Sequence, residues 1–149
     1  MEKRNVTVSA IVAAIVLIGD QLSKHWAETW LRTNGEYKIW DGVLHLRYVE
    51  NRGAAFGMMQ GGKWFFLAIT GIACAAMLYF LIKERKRLHF MMTFSIALLL
   101  SGAIGNLIDR VALGYVRDMI YVALIDFAVF NVADMAVTVG CCLLVLDLL

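Results

Sequence analysis

The 149-residue chain contains no proline, three cysteines and three histidines, and 17% of its residues are charged. Cys74, Cys141 and Cys142 lie inside apolar runs. A disulfide framework belongs to small secreted folds with paired cysteines, so these read as small packing residues. His25, His45 and His89 are isolated from one another. That excludes an HExxH zinc site, and no GxSxG elbow offers a serine nucleophile. Ser23 and Lys24 are adjacent, and adjacent helical residues do not face each other, which argues against a Ser–Lys pair. A net charge of +2 gives no sign of a nucleic-acid partner. No repeat, low-complexity segment or flexible linker marks off a second domain, so residues 1–149 read as one membrane-embedded unit.

What the chain has in abundance is apolar surface. Its hydrophobic fraction is 61% and its mean hydropathy +0.72. A soluble domain of this size has too little interior for that much apolar surface, which places the chain in the membrane class. Met-Glu-Lys-Arg followed by Val6–Gly19 resembles a signal peptide, but no small-x-small cleavage site follows. The helical pattern continues through Asp20, Leu22, Lys24 and Trp26, so this is read as a retained span. Asp20 and Lys24, four apart, share one face and can pair.

The predicted spans cover about 6–26, 64–82, 88–108 and 130–149. Between the first two, Tyr37–Trp40 and Val43–Val49 flank Asp41-Gly42, the signal for a two-residue hairpin turn. The expected fold is therefore an all-α integral membrane protein of four transmembrane helices with a small extramembrane β-hairpin or cradle. Four spans put both termini on one side. Basic residues on that side (Lys3, Arg4, and Lys83 with Arg85–Arg87) are matched in number by Lys24, Arg32, Lys38, Arg47, Arg52 and Lys63 opposite. The raw count leaves orientation open, and the density of the 83–87 turn favours a cytoplasmic location for the termini. Trp26, Trp30, Trp40 and Trp64 flank the spans or hairpin, where amphipathic rings anchor at the lipid interface.

Antiparallel threading brings the polar groups to one depth. Asp20 and Lys24 lie near the outer end of span one, Asn106, Asp109 and Arg110 near the outer end of span three, and Asn131 and Asp134 in the first turns of span four. Asp118 lies in the connection between the last two. Ala97, Ser101, Gly105 and Asp109 form a small-residue ridge that permits close helix approach, and Asn131, Asp134 and Thr138 form a polar stripe. Such groups point at protein or trapped water rather than lipid. A structural polar core, a small polytopic carrier or assembly factor binding protons or ions, and a carboxylate enzyme all fit this pattern. For the last, two close aspartates share one proton. The ionised member takes a proton from water while the protonated member polarises a carbonyl. Such chemistry hydrolyses a peptide bond without metal, cofactor or covalent intermediate.

The motifs occur in a recognisable order: Asp20-Gln21-Leu22-Ser23-Lys24, Asn51-Arg52-Gly53-Ala54-Ala55-Phe56-Gly57, Gly102 to Arg110 (GAIGNLIDR), Val116-Arg117-Asp118, and Phe130-Asn131-Val132-Ala133-Asp134. Over nearly its whole length the chain closely resembles the lipoprotein signal peptidases (signal peptidase II), aspartyl peptidases of the bacterial inner membrane. The resemblance implies a multi-pass enzyme with a periplasmic β-cradle. It would remove signal peptides from diacylglyceryl-modified prolipoproteins, cutting before the lipidated cysteine near the outer face. It implies Asp118 and Asp134 as the catalytic pair, with Asp20, Lys24, Asn51, Arg52, Gly53, Asn106, Asp109, Arg110 and Asn131 shaping the site. Phe56 and its glycines, Gly53 and Gly57, are candidates for gripping the lipidated segment, and Arg110 for forking a carboxylate. The expected partners are prolipoprotein substrates and membrane lipids, around a monomer. Met119 stands where the family usually has phenylalanine, and Ala128-Val129 where a proline usually precedes Phe130. Asp126-Phe127 looks locally like the first catalytic motif, but it lies only eight residues before Asp134 and reads as a loop.

Overall fold

The computed structural model describes residues 3–53, 62–84 and 86–149, so Phe56 and Gly57 lie outside the described residues. Helix α1 (Lys3–Trp26) runs into a π-helical turn, Ala27–Leu31, and a short helical turn, α2 (Arg32–Asn34). Strands β1 (Tyr37–Trp40) and β2 (Leu44–Asn51) follow, then helices α3 (Lys63–Lys83) and α4 (Phe90–Ala112). Strand β3 (Val116–Val122), a 3₁₀ turn at Ala123–Ile125 and helix α5 (Val132–Leu148) complete the order. The chain is mostly helical. Asn5–Asn34, Lys63–Lys83 and Phe90–Ala112 are long and apolar enough to cross a membrane. Helix α5 occupies the place of the expected 130–149 span but has 17 residues, because Asn131 caps its start.

Two expectations about the extramembrane part are corrected. The helix expected to stop at Trp26 continues to Asn34, because Ala27 and Leu31 are both buried and hold the extra turns against Met119. The hairpin does not close in two residues. Trp40 pairs with Leu44 across Asp41, Gly42 and Val43, with a bulge between Lys38 and Trp40. Gly42 takes the left-handed conformation there (φ 71°), which glycine adopts without a Cβ penalty.

A third strand joins the hairpin. Val116–Val122 was expected to be a plain connection, yet it pairs antiparallel with β2 to give the order β1-β2-β3. Its Val, Ile and Tyr content suits a pleated, half-buried surface. The isolated pairing of Ile120 with Phe130 carries this order one step further. Phe130 carbonyl oxygen accepts from the Met119 and Ile120 amides, and Phe130 N–H donates to Ile120. Phe130, next to the Asn131 cap of α5, is thus bonded to the strand that carries Asp118.

The helices meet where side chains are small. Gly140 of α5 rests on the Ser95 backbone of α4, and Gly105 of α4 faces both Asp20 and Ala133. Of the small-residue ridge on α4, Ser101, Gly105 and Asp109 are buried. Helix α3 is the most lipid-like, with Cys74 its one buried residue. Cys74 packs on Ile96 and Leu100 of α4, while Cys141 and Cys142 are exposed and unbridged.

A Cβ added at Gly102 would press on the Ala133 carbonyl and lie 2.7 Å from Val137 Cγ2, whereas one added at Gly71 meets nothing within 4 Å. Gly102→Ala should therefore cost roughly 1–3 kcal/mol through overpacking, seen as a lower thermal unfolding midpoint in detergent. Gly71→Ala, gaining about 1 kcal/mol of helix propensity, should hold or raise it.

Candidate active site

The site is built on the start of α5. Asn131 is fully buried, and its extended backbone ends the preceding segment. Its side-chain oxygen accepts from Asp134 N–H at 2.9 Å, and Asp134 Oδ2 accepts from Asn131 N–H at 3.1 Å. This reciprocal capping box satisfies two amides that a helix start would otherwise leave unpaired. It also fixes the Asp134 carboxylate on the first turn. Asp134 Oδ1 accepts from the Asn106 amide at 2.8 Å.

Asp118 reaches the same place from β3. Its Oδ1 accepts from Asn131 Nδ2 at 2.6 Å and its Oδ2 from Asn51 Nδ2 at 3.0 Å. Asn51 can do this because β2 and β3 pair Val49 with Asp118 and Asn51 with Val116, making Asn51 a diagonal neighbour on one face. Asn131 therefore touches both aspartates, one through its side chain and one through its backbone.

Behind them lies a buried charge network. Lys24 Nζ donates to Asn106 Oδ1 at 2.9 Å, pairs with Asp20 at 2.8 Å and stands 3.8 Å from Asp109. Lys24, Asp20 and Asp109 are all fully buried. Asp20 also accepts from Ala133 N–H at 2.9 Å, tying α1 to the first turn of α5. The expected pairing of Asp20 with Lys24 is present.

The fork on a carboxylate is not Arg110's. Arg117 donates to Asp109 through Nε (3.1 Å), Nη2 (2.7 Å) and its backbone N–H (2.9 Å), and also reaches Glu28 at 2.9 Å and Gln21 at 3.2 Å. Asp109 holds the Arg117 guanidinium charged, its pKa raised above the ordinary value. Arg110, next to Asp109 on the helix, leaves it in another direction. It donates to the Gly53 carbonyl at 3.5 Å and lies over the Phe66 ring at 5.0 Å.

Asp118, Asp134, Asn51, Gly53, Asn106 and Arg110 line one cavity of about 580 Å³ whose far wall is apolar, including Phe127 to Phe130 and Val137. Burial, then the neighbouring Asp134 carboxylate, raises the Asp118 pKa from 3.8 to about 7, against the opposing hydrogen bonds from Asn51 and Asn131. Among the described residues, no three His, Cys, Asp or Glu side chains converge in a metal-ligand arrangement.

Of the expected site residues, Asp20, Lys24, Asn51, Gly53, Asn106, Asp109, Arg110, Asp118, Asn131 and Asp134 come together. Arg52 does not join them: it pairs with Glu50 at 3.2 Å, sits over Tyr115 and borders an adjoining groove. Asp126 turns away in a left-handed conformation and accepts from Tyr121 Oη at 2.6 Å. Sequence reasoning assigned no role to Gln21, Glu28 or Arg117. The Arg-Asp step beside Asp118 was the available signal for the last.

This fold and site are those of a membrane-type protein with buried carboxylates on the wall of a cavity, and the comparisons narrow the class. The chain matches the signal peptidase (SPase) II family over residues 12–149 and belongs to it. It is 46% identical over 142 residues to the lipoprotein signal peptidase of Streptococcus thermophilus, covering 95% of this chain and 92% of that one. It is 41% identical over 143 residues to that of Symbiobacterium thermophilum, covering 95% and 93%. A solved bacterial membrane enzyme superposes with a TM-score of 0.87 at 36% identity, over 95% of this chain and 87% of the other. Membership makes the protein a peptidase.

Lys24→Met would leave Asp20 and Asp109 buried with less compensating charge. Removing one partner of a buried ion pair costs about 3–5 kcal/mol, so the variant should lose its cooperative melting transition in detergent or shift it far downward.

Proposed function

We propose that the protein is an aspartyl endopeptidase that removes signal peptides from diacylglyceryl-modified prolipoproteins, cutting before the lipidated cysteine. The observation that carries this reading is the joining of Asp118 and Asp134 by Asn131 on the wall of one cavity. Two carboxylates in such a place do not both ionise readily, so near neutral pH they hold one proton between them. The ionised member accepts a proton from water as its oxygen attacks the scissile carbonyl carbon, while the protonated member donates to the carbonyl oxygen. Collapse of the tetrahedral species breaks the C–N bond, and a proton passes from the dyad to the leaving amine. The amides of Asn51, Asn106 and Asn131 aim both carboxylates through this sequence, leaving each oxygen a second lone pair. The apolar wall suits a substrate that arrives laterally from lipid.

The same reading makes α5 a fourth span. Its 17 residues reach roughly 25 Å, enough to cross with modest bilayer adjustment. Both termini then face the cytoplasm of a bacterial inner membrane, and the sheet and site lie at the periplasmic boundary of a monomer. Family membership favours peptide hydrolysis over the carrier reading.

Separate Asp118→Asn and Asp134→Asn variants should each lose on the order of 10²–10⁴-fold in cleavage of a lipidated precursor peptide. Asp126→Asn should retain it within about twofold, as a surface change away from the chemistry. Retained cleavage by both dyad variants would overturn the assignment.

The Asp118 shift also sets a pH dependence. Its pKa is raised in the fold, so the folded state holds more protons than the unfolded chain between pH 3.8 and about 7. That contribution to stability is complete below the lower value and is lost as pH rises through the upper one. Cleavage should therefore show a basic limb near pH 7 in kcat/KM, where the shared proton is lost. A rate that keeps climbing to pH 9 would contradict it.

A further inference from the structure

Strand alternation gives β3 two different faces. Val116 and Asp118 line the cavity. Arg117 and Met119 point the other way, onto the π-helical turn at the end of α1. Both neighbours of Asp118 are held there. Met119 is buried against Ala27 and Leu31, the buried residues of that turn. Arg117 is anchored through its backbone N–H and guanidinium to Asp109, and through further guanidinium bonds to Glu28 and Gln21. Its carbonyl oxygen lies 3.4 Å from Asn131 Nδ2, the group that holds Asp118. A π turn inserts an extra residue into a helix and is found frequently at functional sites; here it presents Glu28 and two apolar side chains to the back of one strand.

We propose that Arg117 is a positioning residue for the reaction, and that the Asp109–Arg117–Glu28 clamp, with Met119 seated on the π turn, fixes the backbone on both sides of Asp118 so that its carboxylate meets Asp134. This inference rests on the dyad reading. A guanidinium is suited to the task because its rigid fork bonds two oxygens of Asp109 and still has donors for Glu28 and Gln21. A lysine would supply the charge but not the fork.

The test uses the full-length protein in detergent micelles with a synthetic diacylglyceryl-modified precursor peptide, comparing Arg117→Gln, Arg117→Lys, Glu28→Ala and Asp118→Asn by kcat, KM and thermal unfolding. Because a small displacement of a catalytic group costs up to about 100-fold, Arg117→Gln should lower kcat about 10- to 100-fold with KM within about twofold. Arg117→Lys should recover part of that loss. Glu28 is 26% exposed, so Glu28→Ala should fold and lower kcat about three- to tenfold by loosening one arm of the clamp. A folded Arg117→Gln protein with kcat within twofold of the parent, or with a change in KM alone, overturns the inference. If Arg117→Gln shows no unfolding transition, Glu28→Ala decides by the same criteria. Loss of cleavage in Asp118→Asn with an unaffected Arg117→Gln refutes the clamp alone, whereas cleavage by Asp118→Asn refutes the dyad on which it rests.

Discussion

The arrangement depends on how one buried amide is satisfied. Asn131 has two side-chain N–H donors, one side-chain oxygen and one backbone N–H, and all are removed from water. The oxygen and backbone N–H close the capping box with Asp134. The side-chain donors go to Asp118 at 2.6 Å and Asn106 at 3.1 Å, leaving the Arg117 carbonyl at 3.4 Å as a weaker third acceptor. An unsatisfied buried polar group costs about 1–3 kcal/mol, so helix α5 starts more favourably where Asp118 and Asn106 are in place. The geometry of the two carboxylates is thereby coupled to the start of the helix.

Charge is handled by the same economy. Lys24 does not touch either cavity aspartate. It donates to Asn106, whose own amide donates to Asp134, so the cation's field reaches Asp134 through a polarised amide. Asp20 and Asp109 stand around Lys24, and Arg117 takes the far side of Asp109. A direct Lys–Asp contact in the cavity would hold that carboxylate ionised and oppose the sharing of a proton that the proposed mechanism requires. One amide of separation keeps the support without that consequence. Buried ions survive at this depth only with partners of this kind.

The helices and the meeting of the polar groups were legible in the sequence, because long apolar runs and the positions of Asp20, Asp109 and Asp134 along them are one-dimensional facts. Strand β3 was not. Val116–Val122 carries Arg117 and Asp118 at the positions where a half-buried strand is expected to alternate, and both are buried, on opposite faces. A polar pair buried on both sides reads as a loop until its partners are known, and these come from residues 28, 51, 109 and 131. The π-helical turn was equally hidden, since its extra residue is selected by the tertiary contacts of Ala27, Leu31 and Glu28. Arg110 was expected to fork a carboxylate and Arg117 was given no role, although both flank aspartates in the sequence. Only the direction in which each side chain leaves its element separates them.

A helical membrane protein gains little from placing a sheet at its edge unless the sheet does something helices cannot. The β2–β3 pairing supplies that. A helix presents neighbouring side chains about 100° apart, so residues flanking a buried carboxylate tend to share its environment. A strand sends them to the opposite face. Asp118 can then look into a cavity with an apolar wall while Arg117 and Met119 are fastened behind it. Asp134 needs no such device, because the capping box already fixes it on the first turn of α5. The site thus joins one carboxylate held by a helix start to another held by strand alternation, and Asn131, at the junction of the two elements, is where those constraints meet.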